Sequence, residues 1–458
     1  MPRRAAGRTA GAERPGPTTA RTSRRGVSLA VLIVNQLIAG VGVASGITVA
    51  AILVAELSGT PALGGLAQSA NVLGAALTAI PLARLAVRSG RHVALAVGYA
   101  LACIGAVLVI VAAASGWWVL VFLGLAAFGA GAAAGLQARF AATEVAAPGF
   151  EARAMSLVLW ATTIGSVAGP LFSEAGDDFG LALGLPPLVG SFIFSGIAFA
   201  LSSVLVATLL RSPRAGHLAT DASEAGPEPA PAPVEGRDAA ASVGPSSDPR
   251  DDVRTEAPEP VGALSALKTA ARNPTALVAI LAIVCSPTVM VGVMVMTPIH
   301  MTEHGLSLTL VGVVLSIHIL GMFGASPIMG WLADRIGSLR VIMIGAGLLI
   351  TATIIGILAP DDVILLPLAL GILGLGWSAG LIGGSTLLTT TVDERLRVPL
   401  QGATDAAMNI AAAVSAAFSG LILGLGGYAA VNVVAIFVLV PLAVAALRLR
   451  SLRRGAPA

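Results

Sequence analysis

Between two long apolar runs the chain reads Gly330-Trp331-Leu332-Ala333-Asp334-Arg335-Ile336-Gly337-Ser338-Leu339-Arg340. Glycine at 337 permits a tight reversal. Asp334 carries the charge that suits the N-terminus of a neighbouring helix, and Arg335 and Arg340 suit an acid beside it. A second, weaker copy stands at Ala83-Arg84-Leu85-Ala86-Val87-Arg88-Ser89-Gly90-Arg91-His92, again between apolar runs. Here Ala83 replaces the first glycine and Val87 the aspartate, while Arg88, Gly90 and Arg91 keep the basic, reversing character. One turn repeated in both halves of a chain implies two related structural units.

The flanking runs decide the class. Of 458 residues, 56% are hydrophobic, 54 are glycine and only 11% are charged, against about 25% charged in a soluble domain. This excludes a water-soluble enzyme and an extended disordered chain. Aromatic residues at 4% argue against a base-stacking surface for nucleic acid. Cys103 and Cys285 sit in apolar runs, so neither a disulfide framework nor a metal cluster is expected.

Twelve stretches reach the roughly 20 apolar residues that cross a bilayer. They run about 28–56, 63–87, 93–114, 117–140, 154–174 and 185–210 in the first half. In the second half they run about 275–299, 306–333, 340–359, 363–391, 399–425 and 428–447. Arg24 and Arg25 imitate a twin-arginine export signal. The run behind them is too long for a signal-peptide core and reads as an uncleaved first helix.

With twelve spans, all 27 lysines and arginines fall on one side. The loops of the other side carry Glu56, Glu174, Asp177, Asp178, Glu303, Asp361 and Asp362. Because basic loops stay cytoplasmic, both termini are expected there, in a cell membrane. Residues 212–262 hold nine prolines and ten acids, a composition that buries too little apolar surface to fold alone. The expected organisation is a disordered tail at 1–27, a six-helix bundle at 28–210, and a disordered cytoplasmic linker at 211–272. A second six-helix bundle follows at 273–450, with a tail at 451–458. The fold class is an all-α integral membrane protein of 12 transmembrane helices.

In these features the chain resembles the major facilitator superfamily, whose loop signature is Gly-x-Leu-Ala-Asp-Arg-x-Gly-Arg-Arg. Gly330, Asp334, Arg335, Gly337 and Arg340 follow it closely. Gly165-Ser166-Val167-Ala168-Gly169-Pro170 resembles the glycine-rich stretch of the family's proton-exchanging exporters, marked by Gly165, Gly169 and Pro170. Ser173 and Glu174 depart from that stretch, and small residues four apart also serve helix packing. Gly376, Gly380 and Gly384 form a similar stripe to which only packing is assigned. The segment Gln137–Glu144, leading to Trp160–Gly165, is similar to actinobacterial members of the superfamily, drug and metabolite exporters among them. The resemblance implies that spans 1, 4, 7 and 10 line a cavity around which the bundles rock. On that basis Asn35, Gln36, Met290, Met294, Trp377 and Ser378 are substrate-binding candidates. Asn71, one turn from Gln68, and Asn409 are also deep and complete the eight substrate-binding candidates.

Ionisable groups at membrane depth are costly and mark function. His318, near the middle of span 8, is the deepest and is the candidate proton carrier; the alternative is a neutral histidine bonded between helices. Arg139, at the inner end of span 4, either snorkels, pairs with Glu144 or serves a gate. Asp405 either closes a network with Arg88 or sits as a helix-end acid. A cavity of small, apolar and soft residues suits a lipophilic or amphipathic molecule. The expected function is export of such a molecule by proton antiport and alternating access, from a monomer in the lipid bilayer. Import of a neutral nutrient is the alternative, and a non-transporting membrane sensor the remote one. No nucleophile–base spacing, phosphate loop or ligand cluster stands out, so no enzymatic role, cofactor or metal is expected.

Overall fold

The computed structural model describes residues 17–147, 150–210 and 263–455. The linker at 211–262 and the tail residues 1–16 lie outside them, with the expectations placed there. The described residues are almost wholly helical. The N-terminal half comprises α1 (Pro17–Ser58), α2 (Pro61–Ser89), α3 (Arg91–Ala114), α4 (Trp118–Phe128), α5 (Ala130–Val145), α6 (Glu151–Ala168), α7 (Ser173–Ala182) and α8 (Gly190–Leu209). The C-terminal half comprises α9 (Ala263–Ala271), α10 (Pro274–Glu303), α11 (Leu308–Ile319), α12 (Ser326–Ile336), α13 (Ser338–Leu358), α14 (Leu365–Thr391), α15 (Glu394–Val438) and α16 (Val440–Gly455). The first helix begins at Pro17, inside the stretch expected to be an irregular tail.

Eleven helical stretches among the described residues are long and apolar enough to cross a membrane. The last, Leu400–Leu452, has 53 residues. At about 1.5 Å per residue it would be far longer than the bilayer core of about 30 Å. It is broken at Gly427, whose φ of 70° and ψ of −175° interrupt the helix, giving the expected spans 11 and 12. Span 4 is α4 and α5 joined at Gly129, span 5 is α6 and α7 joined by the 3-10 turn Gly169–Phe172, and span 8 is α11 and α12 joined by the π turn Leu320–Gly324. Twelve crossings result.

The repeated turns are alike in geometry as well as sequence. Gly90 (φ 95°, ψ 157°) ends α2 and starts α3, and Gly337 (φ 93°, ψ 141°) ends α12 and starts α13. In each turn the glycine N–H donates to a carbonyl four residues back, Ala86 or Ala333. Only glycine takes this positive φ cheaply, which is why it recurs in both copies.

The two bundles meet chiefly at the end that carries the acidic loops. A Cβ at Gly420 of α15 would lie 2.6 Å from the Ala62 carbonyl oxygen of α2, and one at Gly64 would press on Ile299 of α10. Ser69 Oγ donates to the Ala413 carbonyl at 2.8 Å, and Ser316 Oγ to the Val167 carbonyl at 2.6 Å. Small residues thus let backbones of opposite bundles touch. Toward the basic end α12 packs on α13 and α14, and α5 packs within its own half. The bundles therefore diverge there, and the molecule is a wedge sealed at the acidic end.

Candidate functional site

A cavity of about 670 Å³ lies between the bundles, below the seal. Its walls are α1, α5 and α6, with Gln68 of α2, on one side and α10 with α11, the π turn and the start of α12 on the other. Spans 1, 4 and 7 line it as expected. Span 10 does not; spans 5 and 8 take that place.

Three of the eight substrate-binding candidates reach the cavity: Gln36, Met290 and Met294. Adjacent residues on a helix point about 100° apart, so Asn35 turns into the bundle while Gln36 faces the cavity. Asn35 Nδ2 donates to Tyr99 Oη at 3.1 Å, and Tyr99 Oη donates to Gln36 Oε1 at 2.6 Å. Gln36 Nε2 in turn donates to Thr162 Oγ1 at 3.0 Å. Asn35 is thus a positioning residue for the amide that the cavity sees. Asn71 is buried outside the cavity lining, and Gln68, one turn earlier, lines it instead. Trp377 is screened by Phe323, which lines the cavity and meets its ring edge-on at 5.5 Å. Ser378 is fully buried and hydrogen-bonded with Ser326, 3.2 Å away. Asn409 is exposed, and its amide donates to the Asp405 backbone carbonyl at 2.8 Å.

The ionisable candidates separate similarly. Arg139 lines the cavity, and its buried Nε has no hydrogen-bond partner among the described residues. Of the alternatives open to it, pairing with Glu144 does not form, because Glu144 is held by Arg91 through contacts of 2.7, 3.0 and 3.2 Å. Gln137 completes that clamp as an acceptor for Arg91 Nη1. The first loop copy therefore ties spans 3 and 4 of its own bundle together. Asp405 makes no ion pair with Arg88 among the described residues, and both are exposed; Arg88 sits in the last turn of α2, whereas Asp405 stands inside α15 rather than at a helix end, so neither reading of Asp405 holds. Asp334 and Arg340 are exposed, and Arg335 lies over the Trp331 ring at 5.3 Å.

His318 is fully buried on the face of α11 turned away from the cavity, which Leu315 and Ile319 line. Its Nδ1 lies 2.8 Å from the Leu370 carbonyl of α14, the interhelical bond weighed as the alternative. Gly165 and Gly169 admit α1, whose Leu37 and Val41 carbonyls lie against them, and the Pro170 carbonyl meets Gly312 of α11. The exporter-like stretch is thus both a packing face and part of the seam between bundles. The Gly376, Gly380 and Gly384 stripe packs on α13 and α10 as expected.

One cluster went unnoticed in the sequence. His300 and His304 of α10's end meet Asp361 of the α13–α14 turn. The histidine spacing of four was a visible signal, but the third partner comes from a distant loop.

Comparison with known proteins agrees with this architecture. The family model described as Major Facilitator Superfamily matches residues 32–317 and 280–458. The chain is 34% identical over 408 residues to the uncharacterized MFS-type transporter YdeG of Bacillus subtilis (strain 168), covering 89% of this chain and 88% of that one. It is 28% identical over 445 residues to the riboflavin transporter RfnT of Brucella anthropi, covering 96% and 99%. Among solved structures it is similar to a bacterial homolog of the human lysosomal transporter Spinster in an inward-facing, unoccupied conformation. That match has a TM-score of 0.62 and 17% identity, over 93% of this chain and 96% of the other. A POT family transporter in complex with 5-aminolevulinic acid is matched with a TM-score of 0.62 at 12% identity, over 92% and 96%. Twelve crossings, repeated turns, a central cavity and these likenesses converge: the chain belongs to the major facilitator superfamily and is a multi-pass membrane transporter.

Proposed function

We infer that this transporter carries a small, largely apolar organic molecule outward in exchange for protons, by alternate opening of the two ends. The observation that carries the reading is the chemistry of the cavity. Its walls are mainly Ala, Gly, Val, Leu and Met, with Gln36, Gln68 and the hydroxyls of Thr48, Ser156, Thr162, Thr163, Ser166 and Ser326 for orientation. Arg139 is the one cation among the lining residues, and none of them is a carboxylate. Such a site favours a cargo with carbonyl or weakly acidic acceptors over a cationic one.

By the distribution of loop charge, the basic end and both termini face the cytoplasm of the cell. A cleft that diverges toward that end is ready to take cargo from the cytoplasm. Likeness to a protein named a riboflavin transporter supports a flat, heteroaromatic and amphipathic cargo. The same likeness supports a second reading, in which such a nutrient moves inward. In either case the working unit is a monomer.

The test is a growth-inhibition panel of lipophilic aromatic compounds, toxic flavin analogues included, on cells with and without the protein. Added resistance that a protonophore abolishes is the expected result. Greater sensitivity to one analogue reverses the direction in favour of uptake. No effect on growth or on cargo flux in proteoliposomes removes this cargo class. Deleting residues 214–260 should leave flux intact, whereas a sensor working through the linker would lose its response.

A further inference from the structure

The cluster at the acidic end is built by the C-terminal bundle alone. His300 and His304 lie one turn apart at the end of α10 and so share a face. Asp361 Oδ1 lies 3.1 Å from His300 Nε2 and 3.7 Å from His304 Nε2. All three ligand atoms fall within 4.8 Å of one another. Around a tetrahedral ion with bonds of about 2.0–2.1 Å, neighbouring ligand atoms stand roughly 3.4 Å apart. The two measured separations bracket that value.

The rings are also held in a suitable state. His304 Nδ1 lies 2.8 Å from the His300 carbonyl oxygen, so Nδ1–H donates and Nε2 presents its lone pair, as in metal-bound imidazoles. The His300 ring stacks on Tyr428 with centroids 4.5 Å apart and planes 9° from parallel. Tyr428 Oη is hydrogen-bonded to Thr297 Oγ1 at 2.9 Å, which fixes that platform. Without an ion, His300 Nε2 carries the proton shared with Asp361 and with the Pro360 carbonyl at 3.3 Å; an ion displaces it. Asp362 is occupied elsewhere. Its Oδ1 accepts from the Ile364 and Leu365 N–H groups at 2.8 and 2.9 Å, bonds that hold its carboxyl below the usual range. The Asp361 side chain is 59% exposed, leaving a side open for a water ligand.

We propose that His300, His304 and Asp361 form a binding site for a divalent transition-metal ion of the zinc type, entered from the acidic end. Two imidazoles select against Mg²⁺ and Ca²⁺, which favour oxygen ligands. All three ligands belong to one bundle, so the ion does not staple the bundles together. It fixes the end of α10, where Ile299 lies against Gly64 in the seal. The site is independent of the cargo and direction inferred above.

The experiment uses untagged full-length protein in detergent and measures Zn²⁺ by competition with a colour-forming chelator. Wild type, His304→Ala and Asp361→Ala are compared, with His92→Ala as a control, and the melting temperature is followed with and without Zn²⁺. One Zn²⁺ per chain is expected in wild type and in the control, not displaced by excess Mg²⁺, and raising the melting temperature. Affinity should fall about tenfold or more in each of the two cluster variants. Both of those side chains are substantially exposed, and an unchanged metal-free melting temperature identifies a folded variant. Absence of stoichiometric Zn²⁺ in wild type, or wild-type affinity in either folded cluster variant, overturns the proposal.

Discussion

Two side chains, Arg139 and His318, show how far a single residue's environment decides its role. Arg139 faces the cavity with its Nε unpartnered, so Arg139→Gln should lower flux of an acceptor-bearing cargo about tenfold or more, at little cost to folding. Flux of the same cargo in proteoliposomes reads this directly, and undiminished flux would remove Arg139 from recognition. His318 instead bonds the Leu370 carbonyl behind the lining. His318→Leu should cost about 0.5–1.5 kcal/mol of stability and leave transport dependent on the proton gradient. Loss of that dependence would restore His318 as the coupling group. Both residues stood out in the sequence as ionisable groups in apolar runs, but their facing did not. At Asn35 and Gln36 a rotation of about 100° separates a residue inside the bundle from one in the cavity. At the end of span 4, Glu144 had two arginines within reach, and only the packing of α3 against α5 assigns it to Arg91.

At the scale of helices, much of the arrangement was legible because membrane spans announce themselves by length and hydropathy. The repeated Gly90 and Gly337 turns were read from the sequence and reappear with nearly the same backbone angles. What the sequence left open was where helices bend. The π turn Leu320–Gly324 brings Phe323 into the cavity and hides Trp377 behind it; Gly321, Gly324 and Pro327, which has no N–H to offer the Phe323 carbonyl, mark the bend but not which side chain it turns inward. The contacts of α2 with α15 rest on side chains that are missing. Gly65→Val places methyl groups against the Ala416 carbonyl, so it should shift the protein toward a state open at the acidic end. Labelling of a cysteine introduced at Gln68 by a membrane-impermeant reagent would report the shift, and unchanged labelling would argue against this seal. Gly427 stands at φ 70° and ψ −175°, a region open essentially to glycine. Gly427→Ala should therefore cost about 1–3 kcal/mol, seen as a lower melting temperature.

The molecule as a whole divides its polar interactions unevenly. Every ion pair among the described residues lies within one bundle: Arg91 with Glu144 in the first, the two histidines with Asp361 in the second. Between bundles the contacts are uncharged, mostly glycine and serine against backbone, with Gly64 against the Ile299 side chain. The two-fold division was readable from the repeated turns and from the run of prolines and acids at 212–262. The placement of the cavity's polar groups required the tertiary fold. A seal without charge across it responds to crowding of atoms and hardly at all to the screening of charge by simple salt. Its opening rate should therefore stay nearly constant as salt rises from about 0.01 to 1 M, a range over which screening shortens from about 30 to 3 Å. A cell could then meet large swings in external salinity with this gate still keeping the same time.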